Sequence, residues 1–300
     1  MRYRPFGASG AAISTLTLSL GFDSLARGKG AASDLIFCAL EAGINAYRLE
    51  NADPVLAEVL GQALVNVERK LLNVSLQLGA GDGRRGSARD FTAEGMTVAI
   101  DRVLQISGLG WIDIALLEEP GEHELPQSSL NALKALRTTG RVRFLGVSGE
   151  TPVMDTYVST GAFDVLATPF HVNSDWRVRS RMRVAREQDM AILAYGYFPD
   201  SLNTEKKAIT LNQPKKGLFG FGGRRQDDPL AGMGTFAFLH RTSNWTAEAI
   251  CLAHAMSGSS VCSVLINADD IERLNTLAAV PEKEMPHGLS AQIEMARVAA

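Results

Sequence analysis

Thr92-Ala-Glu-Gly-Met-Thr-Val-Ala-Ile-Asp-Arg-Val-Leu-Gln-Ile-Ser107, followed after a Gly108-Leu-Gly110 turn by Trp111-Ile-Asp-Ile-Ala-Leu-Leu117, carries the pattern that decides the architecture. In the first run Met96, Ala99, Ile100, Val103 and Leu104 recur at helical spacing, so one face of a helix is apolar. The second run is short, apolar and β-rich, which reads as a buried strand. Upstream, Leu72-Asn-Val-Ser-Leu-Gln-Leu78 is a strand of the same kind. Strand, helix, strand at this spacing is a βαβ unit of a parallel sheet.

The same rhythm extends both ways. Toward the N-terminus stand strands at Thr15–Leu20 and Ile44–Tyr47, with helices at Ala31–Ala42 and about Pro54–Val67. Toward the C-terminus, Gln127–Thr138 is a helix, Arg143–Val147 a strand, Pro152–Ser159 a helix and Phe163–Ala167 a strand. A helix near Asp175–Glu187 and a strand at Met190–Ala194 follow; Thr246–Met256, Val261–Leu265 and Asp269–Ala279 complete the series as helix, strand and helix. Eight βα units close most economically into a single (β/α)₈ barrel over 1–300, with its ligand site at the C-terminal ends of the strands. The stretch 196–234 lacks periodicity and is rich in breakers (Pro199, Pro214, Pro229), so it is expected to form a lid-like excursion after the seventh strand; 281–300 reads as a C-terminal tail or helix.

Composition narrows the function classes. The chain has 300 residues, 46% hydrophobic, with 30 basic and 33 acidic side chains and a net charge of −3. That balance lacks the basic field of a nucleic-acid binder. No segment reads as a membrane span: the longest window without a charged residue, Ala249–Ala268, contains His254, Gly258 and Asn267. The N-terminal stretch is broken by Pro5, Gly7 and Gly10, so no signal-peptide core is expected and the protein reads as cytoplasmic. Cys38, Cys251 and Cys262 show no metal-ligand spacing and read as small hydrophobes. The five histidines are scattered, and no metal site is expected.

Several segments together resemble the aldo-keto reductase superfamily. Arg4-Pro-Phe-Gly7 with Ser9-Gly10 is similar to the family's opening β-hairpin, which closes the barrel bottom. Glu41-Ala-Gly-Ile-Asn45, Leu60-Gly-Gln-Ala-Leu64, Gly110-Trp-Ile-Asp-Ile114, Gly140-Arg-Val-Arg-Phe-Leu-Gly-Val-Ser148 and Ala185-Arg-Glu-Gln188 leading to Ala194-Tyr195 follow the family's order. The resemblance implies a nicotinamide cofactor, usually NADPH, that reduces carbonyls by hydride transfer. It also implies a tyrosine proton donor, a lysine and an aspartate that tune it, and a histidine that orients the carbonyl.

At the matching positions this chain has Arg48 for the aspartate, Gln77 for the lysine and Glu118 for the histidine. Asp53 stands near the tyrosine position, and no tyrosine lies between Arg48 and Leu60. Among cofactor positions, the family's Ser-Asn is Ser148-Gly149, its glutamine is Ala167 and its serine is Gly196; Tyr195 stands for the stacking tyrosine. The phosphate-binding turn reads Leu265-Ile-Asn-Ala-Asp-Asp270, with two acids where a 2′-phosphate would sit.

General acid catalysis contributes about 10²–10⁴-fold, which loss of the tyrosine forfeits. An ionised Glu118 at about 4 Å from a developing oxyanion would oppose it by roughly 4 kcal/mol at an effective dielectric of 20. The expectation is therefore a barrel that has lost conventional NADPH-dependent carbonyl reduction. It would hold no cofactor and act as a non-catalytic or repurposed protein for an unknown small anionic ligand or a protein partner. The alternative is an NAD(P)H-dependent oxidoreductase with an atypical site, in which a Glu118 kept protonated by burial donates the proton. Arg48 is expected either to pair with Glu118 as a structural plug or to capture an anion.

Four further features complete the reading. Gly81-Asp-Gly-Arg-Arg-Gly86 matches GxGxxG but opens no helix, so it reads as a loop. Lys215–Arg225, with its glycines, phenylalanines and four cations, reads as a solvated lid tip. Arg177, Arg179, Arg181, Arg183 and Arg186 are expected to fan outward from a helix whose Val178, Met182 and Ala185 face the barrel. Glu50, Asp53, Glu118 and Glu119 share one end of the barrel as carboxylates of potential hydrolytic use.

Overall fold

The computed structural model describes residues 1–79, 88–203 and 234–299. Eight strands close a parallel barrel: β3 (Leu16–Leu20), β4 (Ala46–Leu49), β5 (Asn73–Leu78), β6 (Ile112–Glu118), β7 (Val142–Ser148), β8 (Val165–Pro169), β9 (Ala191–Tyr195) and β10 (Val261–Ile266), which pairs back onto β3. Side chains alternate between the interior and the helix layer. The inward set includes Ala46, Leu116, Val165, Ala167, Leu193 and Leu265, packed as one cluster. This is the (β/α)₈ architecture that the sequence pattern implies.

The helices start where the sequence supplies caps. Asp53 accepts the backbone N–H groups of Val55 and Leu56 and precedes Pro54, so α2 (Pro54–Leu64) has both an N-cap and a proline in its first turn. Thr92 caps α3 (Ala93–Ser107), and Asp175 caps α6 (Trp176–Glu187). Gly108, at φ +69°, ends α3 in the left-handed conformation that glycine adopts without strain. The remaining helices are α1 (Lys29–Glu41), α4 (Gln127–Thr138), α5 (Val153–Ser159), α7 (Ala247–Ser257), α8 (Ile271–Ala278) and the C-terminal α9 (Leu289–Ala299). No helix of the described residues is long and apolar enough to cross a membrane.

The bottom of the barrel is closed by β1 (Tyr3–Pro5) paired antiparallel with β2 (Ala12–Ser14). This hairpin inserts Phe6 and Ile13 into the interior, and Phe6 meets Phe144 edge-on at 5.3 Å. Beside it lies a polar node. Asp113, 2% exposed, accepts from Arg69 Nη2 at 2.6 Å, the Val74 backbone N–H at 2.8 Å and Trp111 Nε1 at 3.0 Å, with Arg143 Nη1 at 3.4 Å. Both guanidinium groups also lie over the Trp111 ring, at 4.5 and 4.1 Å from its centroid.

The arginine-rich helix departs from expectation at one residue. Arg181 is 4% exposed; it donates to Asp155 at 2.6 Å and to the carbonyls of Glu150 at 3.1 Å and Thr151 at 3.0 Å. It lies on the same helical face as Val178, Met182 and Ala185, so it ties α6 to the loop after β7 instead of fanning outward. The lid-like excursion of 196–234 falls almost wholly outside the described residues, as do Gly81–Gly86 and Lys215–Arg225.

Candidate functional site

Strand alternation brings one polar group after another to the C-terminal mouth of the barrel. Ser19 ends β3, Arg48 and Glu50 flank the end of β4, and Gln77 stands on β5 in register with the inward Leu116. Glu118 ends β6 opposite Ser148 of β7, and Tyr195 ends β9 packed against the interior cluster. Five of the positions singled out from sequence, Arg48, Gln77, Glu118, Ser148 and Tyr195, are therefore gathered at one end of the barrel.

Arg48 does not reach Glu118. Its Nε donates to Ser19 Oγ at 2.7 Å and its Nη2 to Glu50 Oε1 at 3.1 Å, and Asn267 also donates to that carboxylate oxygen at 3.2 Å. The expected Arg48–Glu118 plug is thus replaced by an Arg48–Glu50 pair. Residues two apart on a strand share a face, so Glu50 is the nearer partner. Gly21 makes room for it: a Cβ there would meet Glu50 Oε2 at 2.0 Å.

Asp53 is not part of this cluster in any chemical sense, since both of its hydrogen bonds cap α2. Glu119 is similarly committed. Burial acts to raise its pKa, but the backbone N–H groups of Glu150 and Thr151, at 2.9 and 2.8 Å, hold the carboxyl below its ordinary value. With Glu50, Asp53 and Glu119 engaged, the four carboxylates do not form a free hydrolytic pair.

Glu118 is only partly buried at the end of β6. Among the described residues no cation lies within 4.0 Å of its carboxylate; Arg89 donates to the backbone carbonyls of Glu118 and Glu119 and pairs with Glu124 at 3.5 Å. Gln77 is 9% exposed, and its Oε1 is shut from solvent without a hydrogen-bond partner. Tyr195 stands near Ser148 at the end of β9. Burial first, and then the charges of Glu119 and Glu150, push its phenol up to about 12, against the opposing effect of Ser148 and Arg48.

The closed parallel barrel with a polar cluster at its strand ends defines a (β/α)₈ barrel protein. The family model for the aldo/keto reductase family matches residues 33–296, and the chain belongs to that family of oxidoreductases. Among solved structures it is similar to aldo-keto reductase AKR11C1 from Bacillus halodurans. The holo form superimposes with a TM-score of 0.75 at 20% identity, covering 100% of this chain and 97% of the other. The apo form gives a TM-score of 0.70 at 17% identity with the same coverage. No curated protein matches the chain.

Family members typically bind NADP(H), and the described residues can be tested against that group. In the turn after β10, the Asp270 carboxylate caps α8 by accepting the Arg273 N–H at 2.8 Å, so the helix N-terminus already holds an anion. Arg273, the cation of this turn, is held by both carboxylate oxygens of Glu248 at 2.7 and 3.3 Å. At Gly149, where the family has an amide side chain, a Cβ would lie 2.9 Å from Glu119 Cγ. These residues do not fit a 2′-phosphate or a carboxamide held in the family's manner. The signal for the acidic turn was in the sequence; the occupation of the amide's place by Glu119 was not.

Proposed function

We propose that this chain is a cytoplasmic aldo-keto reductase-fold protein whose barrel mouth has been repurposed for ligand binding, without conventional NADPH-dependent carbonyl reduction. The observation that carries the reading is the state of the strand ends. Arg48, Gln77 and Glu118 stand where the family's aspartate, lysine and histidine would be, and Arg48 is neutralised by Glu50 at 3.1 Å. A hydride acceptor would therefore meet no proton donor backed by a cation, and it would face the Glu118 carboxylate. The acidic cap on α8 and the filled space beside Gly149 support absence of a resident NADP(H). Free Cys38, Cys251 and Cys262 suit a reducing compartment.

The test is titration of the full chain with NADPH and NADH, following nicotinamide fluorescence and thermal unfolding, then assay against a carbonyl panel. The expected outcome is no saturable cofactor signal and no turnover. A cofactor present at 100 times its Kd would add about 2.7 kcal/mol of stability, so its binding would be plain in the melting curve. Oxidation of reduced nicotinamide at ordinary enzymatic rates would overturn the reading. The second reading, an atypical NAD(P)H-dependent oxidoreductase, has Tyr195 in its favour as a phenol at the end of β9, at the mouth. Under that reading Tyr195→Phe abolishes turnover; under ours there is none to abolish.

A further inference from the structure

Among the described residues, two acceptors at the mouth have no donor. Gln77 Oε1 is buried and unpaired, on a side chain that faces the interior beside Leu116. Glu118 lies two residues beyond Leu116 on the same face of the neighbouring strand, without a cation within 4.0 Å among the described residues. The charges around them are already spoken for. Arg48 is met by Glu50, and Arg89 by backbone carbonyls and by Glu124 at 3.5 Å. Glu119 is held by two backbone N–H groups.

Among the described residues, a ligand entering here therefore meets an acceptor-rich surface on which the Glu118 carboxylate has no ion-pair partner. A carboxylate or phosphate would add to that charge and leave Gln77 Oε1 unpaired. A polyol would satisfy Gln77 but not the charge of Glu118. A primary ammonium answers both, because it carries a positive charge and three N–H donors and no acceptor.

We infer that the mouth accepts a small ligand bearing a primary ammonium group, with Glu118 as its counter-charge and Gln77 Oε1 as acceptor for one of its N–H groups. The inference rests on the binding reading above and reverses the sign of the ligand that an Arg48 without a carboxylate partner would capture.

The test is calorimetric titration and thermal unfolding of the full chain with putrescine and with methylammonium, which imposes no length requirement. Controls are the diol matching putrescine and succinate, all at equal ionic strength. Saturable binding of at least one amine is expected, with neither control bound. Glu118→Gln should weaken the amine about tenfold or more, and Gln77→Met, which keeps the volume, should weaken it several-fold. Equal amine binding by wild type and both variants, binding of succinate in preference, or no amine binding at all overturns the ammonium assignment. NADPH turnover, measured separately, overturns the binding reading itself, so the two failures are distinguishable.

Discussion

The two ends of the barrel treat buried polarity in opposite ways. At the bottom, Asp113 has four donors from three segments of chain, and both of its arginines stack on Trp111. At the mouth, Gln77 Oε1 has none and Glu118 has no cation partner among the described residues. A buried polar atom left unpaired costs about 1–3 kcal/mol, so the mouth gives up stability that the bottom secures. In this fold the N-terminal face serves stability and the C-terminal face serves ligands. Under the proposed binding role, a ligand would supply the donors that the mouth lacks.

Breaking the bottom should have the largest effect. Asp113→Ala strands Arg69, whose side chain is 15% exposed, and is expected to cost about 3–5 kcal/mol, measured by denaturant unfolding. Next, Arg181→Met removes the donor for the carbonyls of Glu150 and Thr151 and should cost about 2–3 kcal/mol, with proteolysis of the 149–152 loop accelerated.

Acid provides a test away from both ends. His254 of α7 is buried with neither ring nitrogen bonded, stacked on Phe170 at 5.7 Å between centroids. Burial, then the positive charge of Arg179, lowers its pKa from 6.5 to about 4, with Glu294 opposing and His171 and Arg297 adding to the effect. The unfolded chain takes the proton first, so stability is greatest above pH 6.5 and is lost as the pH falls toward 4. The loss should reach about 2 kcal/mol at pH 5. His254→Phe should flatten that part of the profile.

The smallest effect should carry the opposite sign. Gln77→Met removes the unpaired atom at nearly constant volume and should be neutral or stabilise by up to about 1 kcal/mol. A loss comparable with that of Asp113→Ala would break the contrast between the two ends.

Much of this was legible in the sequence. Every barrel strand falls within two residues of its expected limits, because each carries a short apolar run bounded by turn residues and is set off from the next by connecting segments with turn signals. The gathering of Arg48, Gln77, Glu118, Ser148 and Tyr195 also followed, since all end strands that point the same way. The errors arose where one side chain has two candidate partners. Arg48 chose Glu50, two residues along its own strand, over a residue across the barrel. Asp53 precedes Pro54, which is a capping signal that outweighs its proximity to the mouth. Arg181 shares the i, i+3, i+4 face of Val178, Met182 and Ala185; periodicity placed it inward, and the crowd of neighbouring arginines masked that. Nothing in the sequence marks Gln77 as unpaired, because that depends on what fails to approach it in space.

The missing side chain at position 21 has a further consequence. Even a methyl group there would meet Glu50 Oε2 at 2.0 Å, so the carboxylate would have to swing aside. Arg48 would then pair less closely with Glu50, leaving two separated charges at the rim where one closed pair stood, with no change in their sum. A bare hydrogen at one position is thus what lets the strand-end pair close.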